Sequence, residues 1–209
     1  MIKIENVEVT GWRAALRGMR NPMNSWDRAD STFLPDGRLD KLGPNDLDLM
    51  RRLYRAGRDH RKYLRMIHVQ MDITAPLYWW KDYDTYKVGT VANSCSTMHK
   101  IQESFFTTDM FSCEHLDEQG MNLLQLTCDY LNSQRKTFND SNKLDKMAWY
   151  RMIQMLPSSY EQKRTVDLSY EVVFNILQAR SNHRLFEFRE LCSDELMKLP
   201  YIAEIMDIN

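Results

Sequence analysis

The stretch MDITAPLYWWKDYDTYKVGTVANSCSTM, residues 71–98, decides the fold. It opens as the end of an apolar strand, meets Pro76, continues through an aromatic and charged run, and ends in a loop of small polar residues. A rigid strand that leads into such a loop is typical of a ligand site, because the loop backbone and short side chains can approach a ligand closely. We therefore predict that this stretch positions the binding site.

The aromatic run after Pro76 has two interpretations. Trp79 and Trp80 lie about 100° apart on a helix, so we expect one to be buried and the other to flank a groove. Ionisable residues follow at once: Lys81, Asp82, Asp84, Tyr86 and Lys87. The alternative to a ligand site is an amphipathic helix whose charged face is simply solvated.

Hydrophobic periodicity predicts the remaining elements. Residues 66–74 alternate, with Ile67, Val69, Met71 and Ile73 on one face, which indicates a half-buried strand. Further strands are predicted at 1–10, with a turn or bulge near Asn6, and at 163–168. Helices are predicted at 11–19, 47–55 with Asn45 or Asp46 as cap, 96–106, 118–138 with a core stripe of Leu123, Leu126, Tyr130 and Leu131, 143–155, 170–180 and 183–197.

Residues 21–44 contain three prolines and two glycines and are predicted to be a loop. A turn is expected at Leu34-Pro35-Asp36-Gly37. A long irregular segment inside one domain is often a lid or a binding loop.

Composition narrows the class of protein. The chain has 209 residues, a net charge of -1 and 43% hydrophobic residues, which fits one domain over residues 1–209. The near-zero charge argues against a nucleic-acid binder, and no apolar run has the length of a membrane span. The four cysteines are scattered and predict free thiols in a reducing cytoplasm. Fourteen Met and five Trp supply apolar surface that suits a subunit interface.

The sequence carries no nucleophile motif, P-loop or GxGxxG. His183 and Glu187 are four residues apart on a predicted helix, but without a third ligand we expect no metal site. His60 is either a surface or capping residue or a contact to a phosphate or ring.

Two residues of the predicted helix 170–180 are candidates for binding. Arg180 ends it, where a guanidinium either satisfies the last carbonyl groups or binds a pyrimidine edge or a phosphate. Asn175 lies inside the same apolar helix and needs a partner, which is either the backbone or a ligand.

Several segments of the sequence, taken in their order along the chain, resemble the flavin-dependent thymidylate synthases. The family has a strand that ends in Ala-Pro, a His fifteen residues before that Ala, an aromatic helix with Arg-Gln-Trp, the signature RHRxxSxNExSxRY, and an LP dipeptide before a strand and a helix N-x-R-x-x-x-N-F-L-x-L-R. The matching positions are Arg13-Ala14-Ala15, His60, Ala75-Pro76, Leu156-Pro157, Asn175, Arg180 and His183–Arg189.

Several family positions differ here. Thr85, Tyr86 and Lys87 stand in place of RHR, and Lys81-Asp82 in place of the preceding Arg-Gln. With one inserted residue, Asn93 and Ser96 fit the end of the signature, whose Glu, Arg and Tyr are missing. Ser169 and Glu171 replace the first Asn and the Arg of the later helix. Lys87 keeps a charge but not a bidentate fork.

The resemblance implies an α+β fold, with a mainly antiparallel sheet and helices packed on it. It implies reductive methylation of dUMP or a related uridylate at C5, with FAD as cofactor, and with NADPH and methylenetetrahydrofolate as co-substrates, in a homotetramer with shared sites. The roles that it implies are catalysis and pyrimidine binding for Arg180, flavin contacts for His60, Tyr86, Lys87, Asn93 and Asn175, and nucleotide contacts for Lys81, Asp82 and Ser96.

A second hypothesis is a non-catalytic protein that keeps the fold, and a nucleotide site with it, but has lost flavin chemistry. The altered RHR positions favour this second hypothesis. The retained His60, Asn175 and Arg180 favour the enzyme.

Overall fold

The alternating segment before Ala75 forms an inner strand of the main sheet. The computed structural model describes residues 2–208, and this strand spans His68–Pro76. Ile67, Val69, Met71 and Ile73 are all at most 2% exposed, as the alternation predicts. The strand ends at Pro76, and a helix begins at the next residue.

The main sheet has four strands, in the order β1-β4-β6-β5, and a separate two-stranded sheet pairs β2 with β3. The strands are β1 (Lys3–Thr10), β2 (Thr32–Phe33), β3 (Leu39–Lys41), β4 (His68–Pro76), β5 (Thr90–Ser94) and β6 (Glu161–Ser169). Asn6 has a positive φ of 53°, which marks the predicted irregularity in β1. Mixed helices and antiparallel sheet confirm the predicted α+β class.

Nine α-helices are found among residues 2–208. They are α1 (Trp12–Arg20), α2 (Pro44–Arg55), α3 (Leu77–Tyr83), α4 (Thr97–Lys100), α5 (Glu118–Asp140), α6 (Lys146–Met155), α7 (Tyr170–Arg180), α8 (Phe186–Glu190) and α9 (Ile202–Met206). None of these helices combines the length and the apolarity needed to span a bilayer.

The described residues form two compact units. Unit 1 comprises residues 2–3, 73–85 and 93–165, and unit 2 comprises residues 4–72, 86–92 and 166–208. The expectation of a single domain over residues 1–209 stays a prediction.

Unit 1 has its own apolar core, to which α5 and α6 contribute. Asp117 caps α5, because its Oδ1 accepts a hydrogen bond from Gly120 N at 2.8 Å. The predicted core stripe of α5 was wrong at three of its four positions. Leu123, Leu126 and Tyr130 are 39–64% exposed, and only Leu131 is buried. The buried stripe instead consists of Leu124, Cys128, Leu131 and Phe138. Because α5 carries apolar residues on more than one face, periodicity alone does not identify the buried one.

In unit 2, Gly11 allows β1 to turn directly into α1. Its φ is +89°, and a Cβ there would lie 1.9 Å from the carbonyl oxygen of Met66. Any other residue would therefore have to displace the backbone at Met66.

The segment predicted as a loop at 21–44 contains short regular elements. Residues 21–23 and 26–28 form single 3-10 turns, and β2 pairs antiparallel with β3. The predicted turn at Leu34–Gly37 joins these two strands, and Gly37 N donates to Leu34 O at 2.9 Å. Strands of two and three residues are too short to show a period of two, so their pattern was missed.

The predicted cap of α2 was wrong. The helix begins at Pro44, and the side chain of Asp30 satisfies its first N–H groups by accepting from Asn45 N at 2.9 Å and Asp46 N at 3.0 Å. Asp46 is fully buried instead, and its Oδ1 accepts from Arg20 Nε at 2.7 Å. Its Oδ2 accepts from the Ser31 backbone N at 3.0 Å and from Ser31 Oγ at 2.6 Å.

The single helix predicted at 183–197 is divided. It begins only at Phe186 with α8, widens to a π-helical turn at Leu191–Glu195, and tightens to a 3-10 turn at Leu196–Lys198. Beyond Pro200 the chain forms α9, which the sequence analysis did not predict. Tyr201, with a positive φ of 62°, makes the corner that allows this restart.

The Arg20–Asp46 pair gives a prediction about stability. Asp46→Asn leaves the Arg20 guanidinium buried beside a neutral amide, so we expect a loss of about 3–5 kcal/mol in the free energy of unfolding. The matched control is Asp48→Asn, since Asp48 pairs with Arg52 on the solvated face of the same helix. That change is expected to have an effect of less than about 1 kcal/mol. Urea unfolding measures both variants, and equal losses would contradict this assignment.

Candidate functional site

α7 has the predicted bounds and is buried on almost every side. Seven of its eleven residues are buried, and its polar side chains are therefore few and constrained. Glu171 is 5% exposed, whereas Asn175 and Arg180 are half-buried. Glu171, Asn175 and Arg180 are therefore the side chains of α7 whose polar contacts are described next.

Arg180 contacts two aromatic rings. Its Nε donates a hydrogen bond of 3.0 Å to the Tyr86 hydroxyl. The guanidinium carbon lies 5.7 Å from the centre of the Tyr86 ring and 5.1 Å from the centre of the Phe188 ring. Both distances suit a cation–π contact. The structure thus places the Arg180 guanidinium against two aromatic rings, and the ligand roles of Arg180 and Tyr86 stay predictions.

A tight turn holds Tyr86 and Lys87 against α7. Thr90 Oγ1 donates to Tyr86 O at 3.0 Å, and Gly89 has a φ of +91°. A Cβ on Gly89 would lie 3.2 Å from Val172 Cγ2, so the turn packs closely on the helix. Lys87 is exposed, and its ammonium makes no ion pair within residues 2–208.

Asn175 and His60 differ in their surroundings. The half-buried side-chain amide of Asn175 makes no hydrogen bond to any described part of the chain. Water reaches this half-buried amide, so a ligand contact at Asn175 stays a prediction. His60 is exposed, and its backbone N donates to Gly57 O at 3.0 Å.

Glu171, at a position where the resembling family has an arginine, forms a buried ion pair. Its carboxylate lies 3.0 Å from Nε of Arg61, which is itself only 8% exposed. Arg58 lies at the edge of the pair, 3.9 Å from the carboxylate. Tyr54 covers the Arg61 guanidinium at 5.2 Å. A guanidinium is therefore present beside the first turn of α7, but it comes from the segment after His60.

His183 and Glu187, which were expected to share one helix, lie on different elements. His183 lies outside α8, in the turn before it, and its Nδ1 lies 3.3 Å from the backbone N of Leu185. Glu187 is buried in α8. Within residues 2–208, no group of three potential metal-ligating side chains is found. Burial raises the pKa of the Cys128 and Cys192 thiols, so neither is activated as a nucleophile.

In unit 1, the expectation for the tryptophan pair was wrong. Trp79 and Trp80 are both fully buried in α3, so neither flanks a groove. Trp80 Nε1 donates to Gln162 O at 2.9 Å, and the Arg164 guanidinium stacks over its ring at 4.3 Å. Arg164 also donates to Asp84 Oδ1 at 3.1 Å. Polar partners distant in sequence thus allow a second indole to be buried.

The predicted ligand contacts of unit 1 lie on different elements: Lys81, Asp82 and Ser96 were assigned to the nucleotide, and Asn93 to the flavin. Lys81 is exposed and Asp82 half-buried on α3, and Asn93 is exposed on β5. The sequence analysis expected a loop of small polar residues at the end of the stretch 71–98. Part of that segment is the strand β5, which was missed because it carries little apolar alternation. Ser96 Oγ accepts from His99 N at 3.1 Å and caps α4.

Ser96 lines a cavity of about 290 Å³ in unit 1. Thr97, Lys100, Tyr160 and Lys163 also line it. The named residues supply three hydroxyl groups and two ammonium groups, and the carboxylates of Glu103 and Glu161 also line the cavity. Lys100 Nζ donates to Glu103 Oε1 at 2.7 Å, so its charge is already compensated. Sequence analysis missed Lys163, although the Lys163-Arg164 pair inside a predicted strand was a signal of a functional site.

Comparison with known proteins identifies the fold. No protein-family model and no curated protein matches the sequence. Thymidylate synthase X from Helicobacter pylori, solved with FAD and dUMP, is 16% identical and has a TM-score of 0.67, with 99% of this chain and 97% of that chain covered. The UMP/dUMP methylase PolB from Streptomyces cacaoi, bound with 5-Br dUMP, is 14% identical and has a TM-score of 0.59, with 86% and 78% covered. The chain therefore has the fold of the flavin-dependent thymidylate synthases.

The Arg61–Glu171 pair gives a second prediction. Arg61→Met strands a buried carboxylate, and we expect the free energy of unfolding to fall by about 3–5 kcal/mol. The exchange Arg61→Glu with Glu171→Arg restores opposite charges, so it is expected to recover a large part of that loss. Thermal unfolding of the single and double variants measures the coupling. Additive losses would show that the two side chains do not act as a pair.

Proposed function

We propose that this protein is a divergent flavin-dependent uridylate methylase. It methylates dUMP, or a related uridylate, reductively at C5, with methylenetetrahydrofolate as the carbon donor and NADPH as the source of electrons for FAD. The fold shared with thymidylate synthase X and PolB supports this proposal. Residue by residue, the resemblance at Asn175 and Arg180 supports it further.

The contact between Arg180 and Tyr86 carries the proposal. The hydrogen bond of 3.0 Å to the Tyr86 hydroxyl fixes the orientation of a permanently charged guanidinium that remains half-exposed. A fixed cation stabilises negative charge that develops on a pyrimidine when its C5 acts as a nucleophile. Because the cation is already in place, little reorganisation is needed at the moment of reaction. In this proposal Arg180 is the catalytic residue and also binds the pyrimidine.

The residues around α7 fit a flavin. The amide of Asn175 is half-buried without a hydrogen-bond partner in the described chain, and a flavin ring system offers both donors and acceptors to it. We assign flavin contacts to Asn175, His60, Lys87 and Asn93, and stacking to Tyr86. When bound, FAD supplies the hydride chemistry, for which no side chain of this protein is suited.

Ser96 is assigned to the phosphate end of the nucleotide. The cavity that it lines also contains Lys163 and Lys100, and a phosphate bound there would compete with Glu103 for the Lys100 ammonium group. Lys81 and Asp82 are assigned to the nucleotide by the resemblance alone.

We further propose that the enzyme is a cytoplasmic homotetramer whose subunits share sites. Several large apolar side chains of unit 1 lie at the surface, which is typical of an interaction face. They are Leu123, Leu126, Leu144, Met147 and Tyr150.

One observation favours a second function, a non-catalytic protein that binds a nucleotide. The Arg61 guanidinium is neutralised by the carboxylate of Glu171, which stands at a position where the resembling family has an arginine. FAD titration of the purified protein separates the two functions. The enzyme is expected to copurify yellow or to bind added FAD, with a change in the flavin absorption band. Failure to bind FAD at any concentration would leave the non-catalytic function.

Arg180 gives the matching functional prediction. Arg180→Gln is expected to lower kcat for dUMP methylation by about 10²-fold or more, because one preorganised electrostatic contact is lost. The free energy of unfolding is expected to change by no more than about 1.5 kcal/mol. The control is Arg184→Gln, an exposed arginine in the turn after α7. Unchanged methylation in the Arg180 variant would remove that residue from the mechanism.

A further inference from the structure

We propose that unit 2 contains a second ligand site, in which the segment after α1 binds an aromatic anion of the nucleotide class. The ring enters a small cavity beside Trp26 and Phe33, and the phosphate lies against Arg13 and Arg17. None of the residues assigned above to flavin or dUMP lines this cavity, so the site goes beyond the proposed methylase function.

The cavity has the size of one ring. Its volume is about 180 Å³, and its walls are largely apolar. Sites for whole ligands are usually about 300–1,000 Å³, so only part of a ligand is enclosed. The lining consists of Arg13, Leu16, Arg17, Arg20, Trp26, Ala29, Ser31, Phe33 and Asp46. A planar base fits inside, and its sugar and phosphate remain at the mouth.

Trp26 is exposed but held in one orientation. Half of its surface is accessible, and its Nε1 donates to Asn21 Oδ1 at 3.0 Å. The indole is therefore fixed without being buried. A fixed and exposed aromatic ring binds a flat heterocycle with a small loss of side-chain freedom. Phe33, half-buried on β2, lines the same cavity.

The charges at the cavity favour an anion. Arg13 and Arg17 are exposed and four residues apart, so they lie on the same face of α1. Neither makes an ion pair with a carboxylate in the described part of the chain. The two other charged groups in the lining, Arg20 and Asp46, neutralise each other at 2.6 Å. The mouth of the cavity therefore carries two uncompensated positive charges.

Arg13 and Arg17 each have a local role, but these roles do not explain why two cations lie so close together. Arg13 stacks over the Phe33 ring at 4.7 Å, and Arg17 lies in the last turn of α1, where a cation is favourable. Like charges at this spacing nevertheless repel each other by about 0.2–0.5 kcal/mol. A bound phosphate converts that repulsion into two charge-assisted contacts.

The wall opposite α1 is rigid before any ligand binds. Ser31 is held to the buried Asp46 through both its backbone N and its Oγ. The walls of the cavity are therefore preorganised, and binding a nucleotide does not require this segment to fold. The net charge of -1 argues for a free nucleotide over a nucleic-acid strand.

The experiment follows the fluorescence of the full chain during titration with AMP, adenosine or inorganic phosphate. AMP is expected to quench the fluorescence of the exposed Trp26. Adenosine and phosphate are each expected to bind at least about 10-fold more weakly than AMP. In Trp26→Phe the AMP-dependent quenching is expected to disappear. The double variant Arg13→Gln with Arg17→Gln is expected to raise the Kd for AMP at least about 10-fold.

The matched control is Arg28→Gln, since Arg28 is an exposed arginine of the same segment that does not line the cavity. The Kd of the Arg28→Gln variant for AMP is expected to be unchanged. The Kd of Arg180→Gln for AMP is also expected to be unchanged, and that result separates this site from the methylase site. Circular dichroism and thermal unfolding verify that every variant is folded. The proposal is overturned if AMP does not bind, if the double variant binds AMP as well as the unaltered chain does, or if phosphate alone binds equally well.

Discussion

A helix that is buried on nearly every side must bring each polar group that it carries to a partner or to solvent, and α7 does so in three different ways. Glu171 is neutralised by Arg61, Arg180 donates to Tyr86, and Asn175 has no partner in the described chain. A polar group that is removed from water without a hydrogen bond is destabilising, so each of these solutions shapes the surroundings of the helix. The candidate site of unit 2 is the outcome of that requirement.

The same constraint explains how the contacts of Arg180 form in a chain that differs from the resembling family at several signature positions. The contacts among Arg180, Tyr86 and Phe188 require only a cation and two rings at the end of one helix. They do not require the arginines that the signature supplies elsewhere. The residues that differ most, Thr85 and Lys87, lie next to Tyr86 in a turn whose geometry depends on Gly89. The contacts of Arg180 with Tyr86 and Phe188 therefore do not depend on the residues of the signature.

Patterns that repeat over many residues were predictable from the sequence. The alternation of β4 and the bounds of α7 are examples, because an element that is buried on one face or on all faces carries apolar residues at the corresponding positions. The contact between Arg180 and Tyr86 joins residues that are 94 positions apart, and periodicity carries no information on such a pair. The second buried indole, Trp80, was not predictable, since Arg164 and Gln162 satisfy and cover it from a distant strand. Short elements such as the β2–β3 hairpin carry too few residues to show a period.

The buried pair between Arg61 and Glu171 also constrains how this lineage can change. A single substitution that restores an arginine at position 171 would oppose it to the arginine at position 61, in a place where water cannot screen the repulsion. A change of charge at either position is therefore tolerated only when the other position changes with it. The start of α7 thus makes residues 61 and 171 one coupled unit, so a redesign of this helix has to alter both together.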